Sequence, residues 1–295
     1  MNTTTARLNP IGFPRSVMAR VALAATALTF AVLFAQPFAN TVSTWWNDPE
    51  AGHGLLLVPV AFVLAWRRGL DPAARADHTL GLSVLGVAVV VRYVSALAAD
   101  PFLSRVTMFL ALAALVIYAW GLRQVVAWWL PAALLALSVP LPEVVLGSIA
   151  LPLQLKASSL GAALLSWRGL PVHLDGNVIR LPGHDLFVTE ACSGLRSLTA
   201  LLSIGVLLGG VLLRHPVSRI AIIALAIPVA IVVNGVRVFV TGFLVAFVDP
   251  SLADGFTHIT EGWLLFLVAF AILAVITLGV VRIERRVLET SDSHA

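Results

Sequence analysis

Residues 219 to 246 of the chain have the sequence RIAIIALAIPVAIVVNGVRVFVTGFLVA, with only two charged side chains, Arg219 at the first position and Arg237 far inside. A helix needs about 20 mostly apolar residues to cross the hydrocarbon core of a bilayer. This stretch therefore predicts a membrane-spanning helix. An ionised side chain within such a helix is costly, so Arg237 is expected to have a partner or a function.

Runs of the same kind recur along the whole chain. Of 295 residues, 59% are hydrophobic and 12% are charged, and the mean hydropathy is +0.97; soluble domains have about 25% charged residues. We therefore predict an all-α fold, a polytopic transmembrane helix bundle that forms a single integral membrane domain over residues 1–295. The eight predicted spans cover about residues 17–36, 54–66, 80–99, 102–120, 124–139, 194–213, 219–246 and 260–281.

The segment 140–191 is the longest predicted connection and is expected on the extracytoplasmic side. Its first half is rich in leucine and alanine but contains Lys156 and Arg168, which predicts amphipathic helical pieces or a re-entrant element. Its second half has a DGN turn at residues 175–177 between short β-branched runs, which predicts a small hairpin. The hairpin leads directly into Cys192.

The net charge of +4 and the pI near 10.2 come from arginines at the ends of apolar runs. That distribution indicates membrane topology and membrane lipids as neighbours, and we expect no nucleic acid partner. Because cytoplasmic loops carry the excess of arginine, both termini are expected in the cytoplasm. The arginines that fall on this side are Arg7, Arg15, Arg20, Arg67, Arg68, Arg75, Arg123, Arg214, Arg219, Arg282, Arg285 and Arg286.

The only cysteine of the chain, Cys192, lies where the extracytoplasmic segment enters the sixth predicted span, in the stretch VTEACSGLRSL. A thiol at the amino terminus of a helix has a lowered pKa, so its thiolate could act as a nucleophile. Most buried cysteines are inert. The polar neighbours Glu190, Ser193 and Arg196 favour a functional role here, because an inert thiol needs none of them.

Two further candidates lie on other spans and on the same predicted side. Arg237 is about 27 Å along the seventh span, with Asn234 three residues earlier, and His258 opens the eighth. A thiolate, an arginine that holds an oxyanion and a histidine that moves protons together indicate acyl transfer. Whether Arg196 or Arg237 faces the thiol stays open, and snorkelling of Arg237 is the competing structural explanation.

His53, between two glycines in AGHGLLLVP, is expected to support the site or to have a structural role. The remaining histidines have irregular spacing and form no known metal motif. We therefore predict no metal and no cofactor. Arg92, in the middle of the third span, has no role in this scheme and would suit a transporter better.

These residues resemble those of the exosortase and archaeosortase family of membrane transpeptidases. The resemblance lies in EACSGLRSL around Cys192, NGVRV around Arg237, His258 at the start of the last span and EAGHGLLLVP near the second. It covers roughly residues 45 to 280. The chain departs from the family at Ala51, where serine is usual.

The resemblance implies that Cys192, Arg237 and His258 are catalytic. It further implies that the substrates are secreted proteins with a carboxy-terminal sorting tail of the PEP-CTERM kind, cleaved at the outer face of a bacterial inner membrane and transferred to an acceptor. The alternative function is a membrane transporter or assembly component for exopolysaccharide or lipid export, with the arginines and His258 along its path.

Overall fold

The computed structural model describes residues 17–48, 50–188, 195–248 and 256–293, and within these ranges it leaves out the side chains of residues 19, 23, 195, 196, 256–261 and 288–293. The fold is all-α and multi-pass, as predicted, with one small sheet. The chain divides into two compact units, Met1–Leu141 and Pro142–Ala295.

The described residues of the first unit form six helices: α1 (Val17–Asn47), α2 (Gly54–Arg68), α3 (His78–Leu97), α4 (Pro101–Trp120), α5 (Leu122–Ala127) and α6 (Trp129–Leu137). Helices α3 and α4 form an antiparallel hairpin, because Gly81 allows the backbone of Tyr118 to come close. Asp77 and Asp100 begin these two helices by accepting hydrogen bonds from backbone N–H groups three residues later, as helix caps do.

In the second unit, the part of the chain that the structure describes forms four helices and three strands: α7 (Glu143–Trp167), β1 (His173–Asp175), β2 (Val178–Leu181), β3 (His184–Phe187), α8 (Leu195–Leu212), α9 (Pro216–Phe247) and α10 (Phe256–Ser293). Helix α9 contacts each of the other three helices, α7, α8 and α10.

Small residues allow α7 and α9 to pack closely. A Cβ atom added to Gly161 of α7 would lie 2.5 Å from Cγ1 of Val238, so a larger residue would require the helices to move apart. On α9, Gly235 faces Leu160 and Gly242 faces Leu165. The residue numbers of the contacting pairs increase together along the two helices, so α7 and α9 are parallel. Close packing through small residues is common between membrane helices.

The three strands form an antiparallel sheet in the order β1-β2-β3. The predicted turn is present between β1 and β2, where Gly176 has a φ of 61°, and a second turn at Gly183 with a φ of 82° adds β3. Both turns require a left-handed backbone that glycine adopts without strain. Ile179 of β2 is buried in the same apolar cluster as Val238 and Val245 of α9, and β3 contacts α9 directly, so one face of the sheet packs on this helix.

Within the described ranges, six helices are long and apolar enough to cross a membrane, whereas eight spans were predicted. The six helices are α1, α3, α4, α7, α9 and most of α10. The span predicted at 124–139 is divided into α5 and α6, which are 6 and 9 residues long. Conversely, the segment expected to be amphipathic or re-entrant is α7, one helix of 25 residues that qualifies as a span.

Candidate functional site

The predicted site residues fall into three groups in the structure. Arg237, Asn234 and His53 are described with their side chains, whereas Arg196 and His258 are described by their backbone only. Cys192, Glu190 and Ser193 lie outside the described residues. The geometry of the site is therefore built from Arg237 outward.

Arg237 lies about 15 Å before the end of α9, at the level where β3 packs on this helix. It lines a small pocket in the second unit. The walls are otherwise almost entirely apolar, which lowers the local dielectric and strengthens the interaction of a guanidinium with an anion. The residues that line the pocket are Leu186, Phe187, Val188, Arg237, Val238 and Thr241.

The guanidinium of Arg237 lies against Gly262 of α10. A Cβ atom added at Gly262 would lie 3.1 Å from Nη2 and 3.3 Å from Cζ of Arg237, closer than most Cβ contacts in proteins. The absence of a side chain at Gly262 therefore gives the guanidinium the room that it occupies. Because the contact joins α9 to α10, it connects the arginine to the helix that contains His258.

His258 precedes Gly262 by four residues in α10. Four residues of an α-helix advance the chain by about 6 Å, slightly more than one turn. The backbone of His258 is thus one turn from the residue that the Arg237 guanidinium contacts.

Asn234 and Thr241 extend the polar character of α9 on both sides of Arg237. Both are buried, with 5% and 3% of their surface exposed, and both form polar interactions in the structure. Asn234 precedes Arg237 by three residues, close to one turn of the helix. An amide, a guanidinium and a hydroxyl therefore follow one another in a helix that is otherwise apolar.

His53 lies in the first unit, immediately before α2. Its Nδ1 is 3.1 Å from the carbonyl oxygen of Glu50 and its Nε2 is 3.2 Å from that of Leu137, so the ring connects the turn before α2 to the end of α6. Burial lowers the pKa of His53, although the two carbonyl groups and Asp48 act in the opposite direction. A neutral imidazole can donate to only one of the two carbonyl groups.

Five arginines of the second unit lie at the end opposite to the sheet: Arg214, Arg219, Arg282, Arg285 and Arg286. The carboxylate of Glu284 accepts hydrogen bonds from the backbone N–H groups of Arg214, at 3.1 Å, and His215, at 3.3 Å. These hydrogen bonds connect the α8–α9 turn to the carboxy-terminal part of α10, which also contains Arg282, Arg285 and Arg286. Arg237 is about 31 Å along α9 from Pro216, toward the other end.

Sequence reasoning did not identify Gly262, Thr241 or Val188 as part of this region. The four-residue spacing from His258 to Gly262 is the only sequence pattern that could have indicated the glycine. The positions of Val188 and Thr241 depend on how the sheet packs against α9, which no local pattern reveals.

The fold and this region define a class: a multi-pass membrane protein with a polar site between two of its helices. A family model described as transmembrane exosortase matches residues 45–275, more than three quarters of the chain. The chain therefore belongs to the transmembrane exosortase family. No curated protein and no solved structure gives a significant match.

Proposed function

We propose that this chain is a cysteine transpeptidase of the bacterial inner membrane. Its substrates are secreted proteins with a carboxy-terminal sorting tail of the Pro-Glu-Pro type, which it cleaves at the outer face and transfers to an acceptor. Membership of the transmembrane exosortase family supports this class of activity. The observation that carries the residue assignment is the contact between the Arg237 guanidinium and Gly262, one turn after His258.

The covalent chain limits how far the thiol can be from this contact. Val188, the last described residue before Cys192, lines the pocket beside Arg237. Cys192 is four positions after Val188, and a fully extended chain covers at most about 14 Å in four steps. Leu195, where the description of α8 begins, is three residues beyond Cys192. These limits are compatible with a thiol, a guanidinium and an imidazole around one reacting carbonyl.

In the proposed reaction, the thiolate of Cys192 forms a bond to the carbonyl carbon of the scissile peptide. The negative charge passes to the carbonyl oxygen, where the guanidinium of Arg237 stabilises it. The C–N bond then breaks, and the imidazolium of His258 gives its proton to the departing amine of the tail. An acceptor amine or hydroxyl group, or water, finally attacks the thioester and releases the thiolate of Cys192, while neutral His258 takes up the acceptor's proton and becomes imidazolium again.

The distribution of charge supports the proposed orientation. Arg214, Arg219 and the three arginines of α10 gather at one end of the second unit, and the excess of arginine favours the cytoplasm for that end. The sheet and Arg237 belong to the other end, which would then be extracytoplasmic. In this orientation the carboxy terminus is cytoplasmic.

The side of the membrane and the thiol chemistry can be tested together, because Cys192 is the only cysteine. Spheroplasts and inverted vesicles would carry the enzyme and a cysteine-free secreted protein with a Pro-Glu-Pro tail and a carboxy-terminal tag. A membrane-impermeant thiol reagent is expected to stop removal of the tag in spheroplasts and to leave it unchanged in sealed inverted vesicles. Full alkylation, verified by mass spectrometry, with undiminished processing would exclude the thiol as nucleophile.

Gly262→Leu is expected to lower the rate of tail removal by about 100-fold, since a misplacement of about 1 Å can have that effect. The new side chain would occupy the space of the Arg237 guanidinium. Gly262→Ala should have a smaller effect, because the end of the arginine can shift by a few tenths of an ångström. The rates are measured in membranes at matched expression.

Gly279→Leu is the matched control, since it lies in the same helix and an added Cβ there meets nothing within 4 Å. It should process the tail at the wild-type rate. Equal rates for Gly262→Leu and Gly279→Leu would show that the position of the guanidinium has no importance for the reaction.

A further inference from the structure

Arg92 and Arg105 lie on the same face of the α3–α4 hairpin in the first unit. The hydroxyl groups of Ser95 and Ser104 are 2.5 Å apart and mark the level at which the two helices meet. Arg92 precedes Ser95 by three residues, and Arg105 follows Ser104 directly, so both arginines are near this level.

The packing of neighbouring residues identifies the face. Ala88, one turn before Arg92, and Met108, one turn after Arg105, belong to one apolar cluster with Phe34 of α1. Residues three or four apart share a face of a helix. Both arginines are therefore on the side of the hairpin that α1 covers, one turn beyond the apolar cluster.

Part of each guanidinium has no acceptor among the described residues. The Nε atoms of Arg92 and Arg105 are both buried, and neither has a hydrogen-bond partner there. Nη2 of Arg105 donates to Oγ1 of Thr44 in α1, at 2.7 Å. Asp48 interacts electrostatically with Arg105.

Both arginines lie near the end of the hairpin, where a long side chain can reach the headgroup layer of a bilayer. Arg92 is five residues before the end of α3, and Arg105 is four residues after the start of α4, so each is within about 8 Å of the connecting turn along its helix. Two exposed aromatic residues lie at the same level: Tyr93, with 66% of its surface exposed, and Trp46, with 77%. Tyrosine and tryptophan concentrate where hydrocarbon meets headgroups.

We propose that Arg92 and Arg105 bind the phosphate group of an anionic membrane lipid. A phosphate offers several acceptor oxygens and a negative charge, and a guanidinium can hold two of those oxygens at once. The lipid chains would lie along the exposed apolar side chains of α3 toward the bilayer centre, such as Val87 and Val90. This site gives Arg92 a function that the proposed peptide cleavage does not need.

The test is a lipid titration of the purified full-length chain in detergent, followed by native mass spectrometry. Short-chain phosphatidylglycerol is the anionic lipid, phosphatidylcholine the zwitterionic one, and inorganic phosphate the soluble anion. Phosphatidylglycerol is expected to bind the double variant Arg92→Gln/Arg105→Gln at least about tenfold more weakly than wild type, because each bidentate charged contact contributes strongly to affinity. Phosphatidylcholine should bind both proteins equally weakly.

Arg67→Gln/Arg75→Gln is the matched control, as it removes the same charge from two exposed arginines. It should bind phosphatidylglycerol like wild type. The variant Arg92→Lys/Arg105→Lys keeps the positive charges but lacks the planar guanidinium groups, so it is expected to bind phosphatidylglycerol with intermediate affinity. This variant also tests the proposal if the glutamine variant does not fold.

Two results would overturn the proposal. Equal affinity for phosphatidylglycerol in wild type and in both double variants at these positions would exclude a phosphate site there. Binding of inorganic phosphate that depends on Arg92 and Arg105, without binding of phosphatidylglycerol, would retain the anion chemistry but exclude a lipid as its source.

Discussion

Membranes that contain Cys192→Ala are expected to leave the sorting tail of the secreted substrate uncleaved. Alanine has no nucleophilic atom, so the rate should fall by at least about 10³-fold, to the level of membranes without the enzyme. The measurement is the loss of a carboxy-terminal tag over time, at matched expression. Cys192→Ser should be nearly as slow, because a hydroxyl is far less ionised than a thiol at neutral pH.

The thiol reaction also predicts a product that a merely structural cysteine would not form. The wild-type protein should carry the substrate as a thioester, detectable by its mass and released by hydroxylamine, and Cys192→Ala should not. Ser148→Ala is a suitable control: Ser148 is exposed and its hydroxyl donates to the carbonyl of Val145 in α7. Tail removal by the Cys192→Ala variant at the wild-type rate would end the proposal of a cysteine nucleophile.

Arg237→Gln is expected to lower the turnover number by about 10² to 10³, the usual effect of removing one donor to a developing oxyanion. The loss should be mainly in kcat, since the charge on the carbonyl oxygen develops only in the transition state. Arg237→Lys should recover only part of the rate, because an ammonium group lacks the planar fork of arginine. The measurement is kcat and KM with a tail peptide in detergent.

Arg214→Gln is the control for net charge, since Arg214 is an exposed arginine at the opposite end of the second unit. It should leave both constants unchanged. The same assay addresses the choice between the two candidate arginines. A large loss of kcat in Arg196→Gln, with none in Arg237→Gln, would transfer the oxyanion role to Arg196 and contradict the assignment made from Gly262.

The apolar runs of the sequence predict most of the long helices, because hydrophobic length is sufficient to identify them. At α7, Lys156 and Arg168 among leucines and alanines predicted amphipathic pieces or a re-entrant element, whereas the structure has one helix that is long and apolar enough to cross a membrane. Ala157 and Gly161 are buried in the second unit, and Gly161 packs on Val238 of α9. Small residues with low hydropathy are favoured at such contacts, so hydropathy alone undervalues them.

The fifth predicted span, residues 124–139, is divided into two short helices in the structure. Its residues are apolar, but Gln124 is fully buried and its side chain accepts a hydrogen bond from the N–H of Asp71 and donates to the carbonyl of Gly69. The indole of Trp128, at the break between α5 and α6, donates to the same carbonyl. These contacts join residues more than fifty positions apart, which a local window does not detect.

For the candidate site, the sequence identified Arg237 because a charge within an apolar run is conspicuous. Its surroundings followed only from the tertiary structure. Gly262 belongs to another helix, and the pocket wall comes from a strand that the sequence did not predict, since β3 follows a second glycine turn. The roles of Cys192, Arg237 and His258 remain predictions.

The close packing of α7 against α9 also affects how the protein would respond to a change in the thickness of the bilayer. Gly161, Gly235 and Gly242 lie against Val238, Leu160 and Leu165, so the two parallel helices cannot slide past each other without steric overlap. Membrane proteins often tilt or deform when the bilayer changes thickness. Here the tight packing of α7 on α9 resists such deformation. Arg237 therefore stays at a constant distance from the basic end of α9.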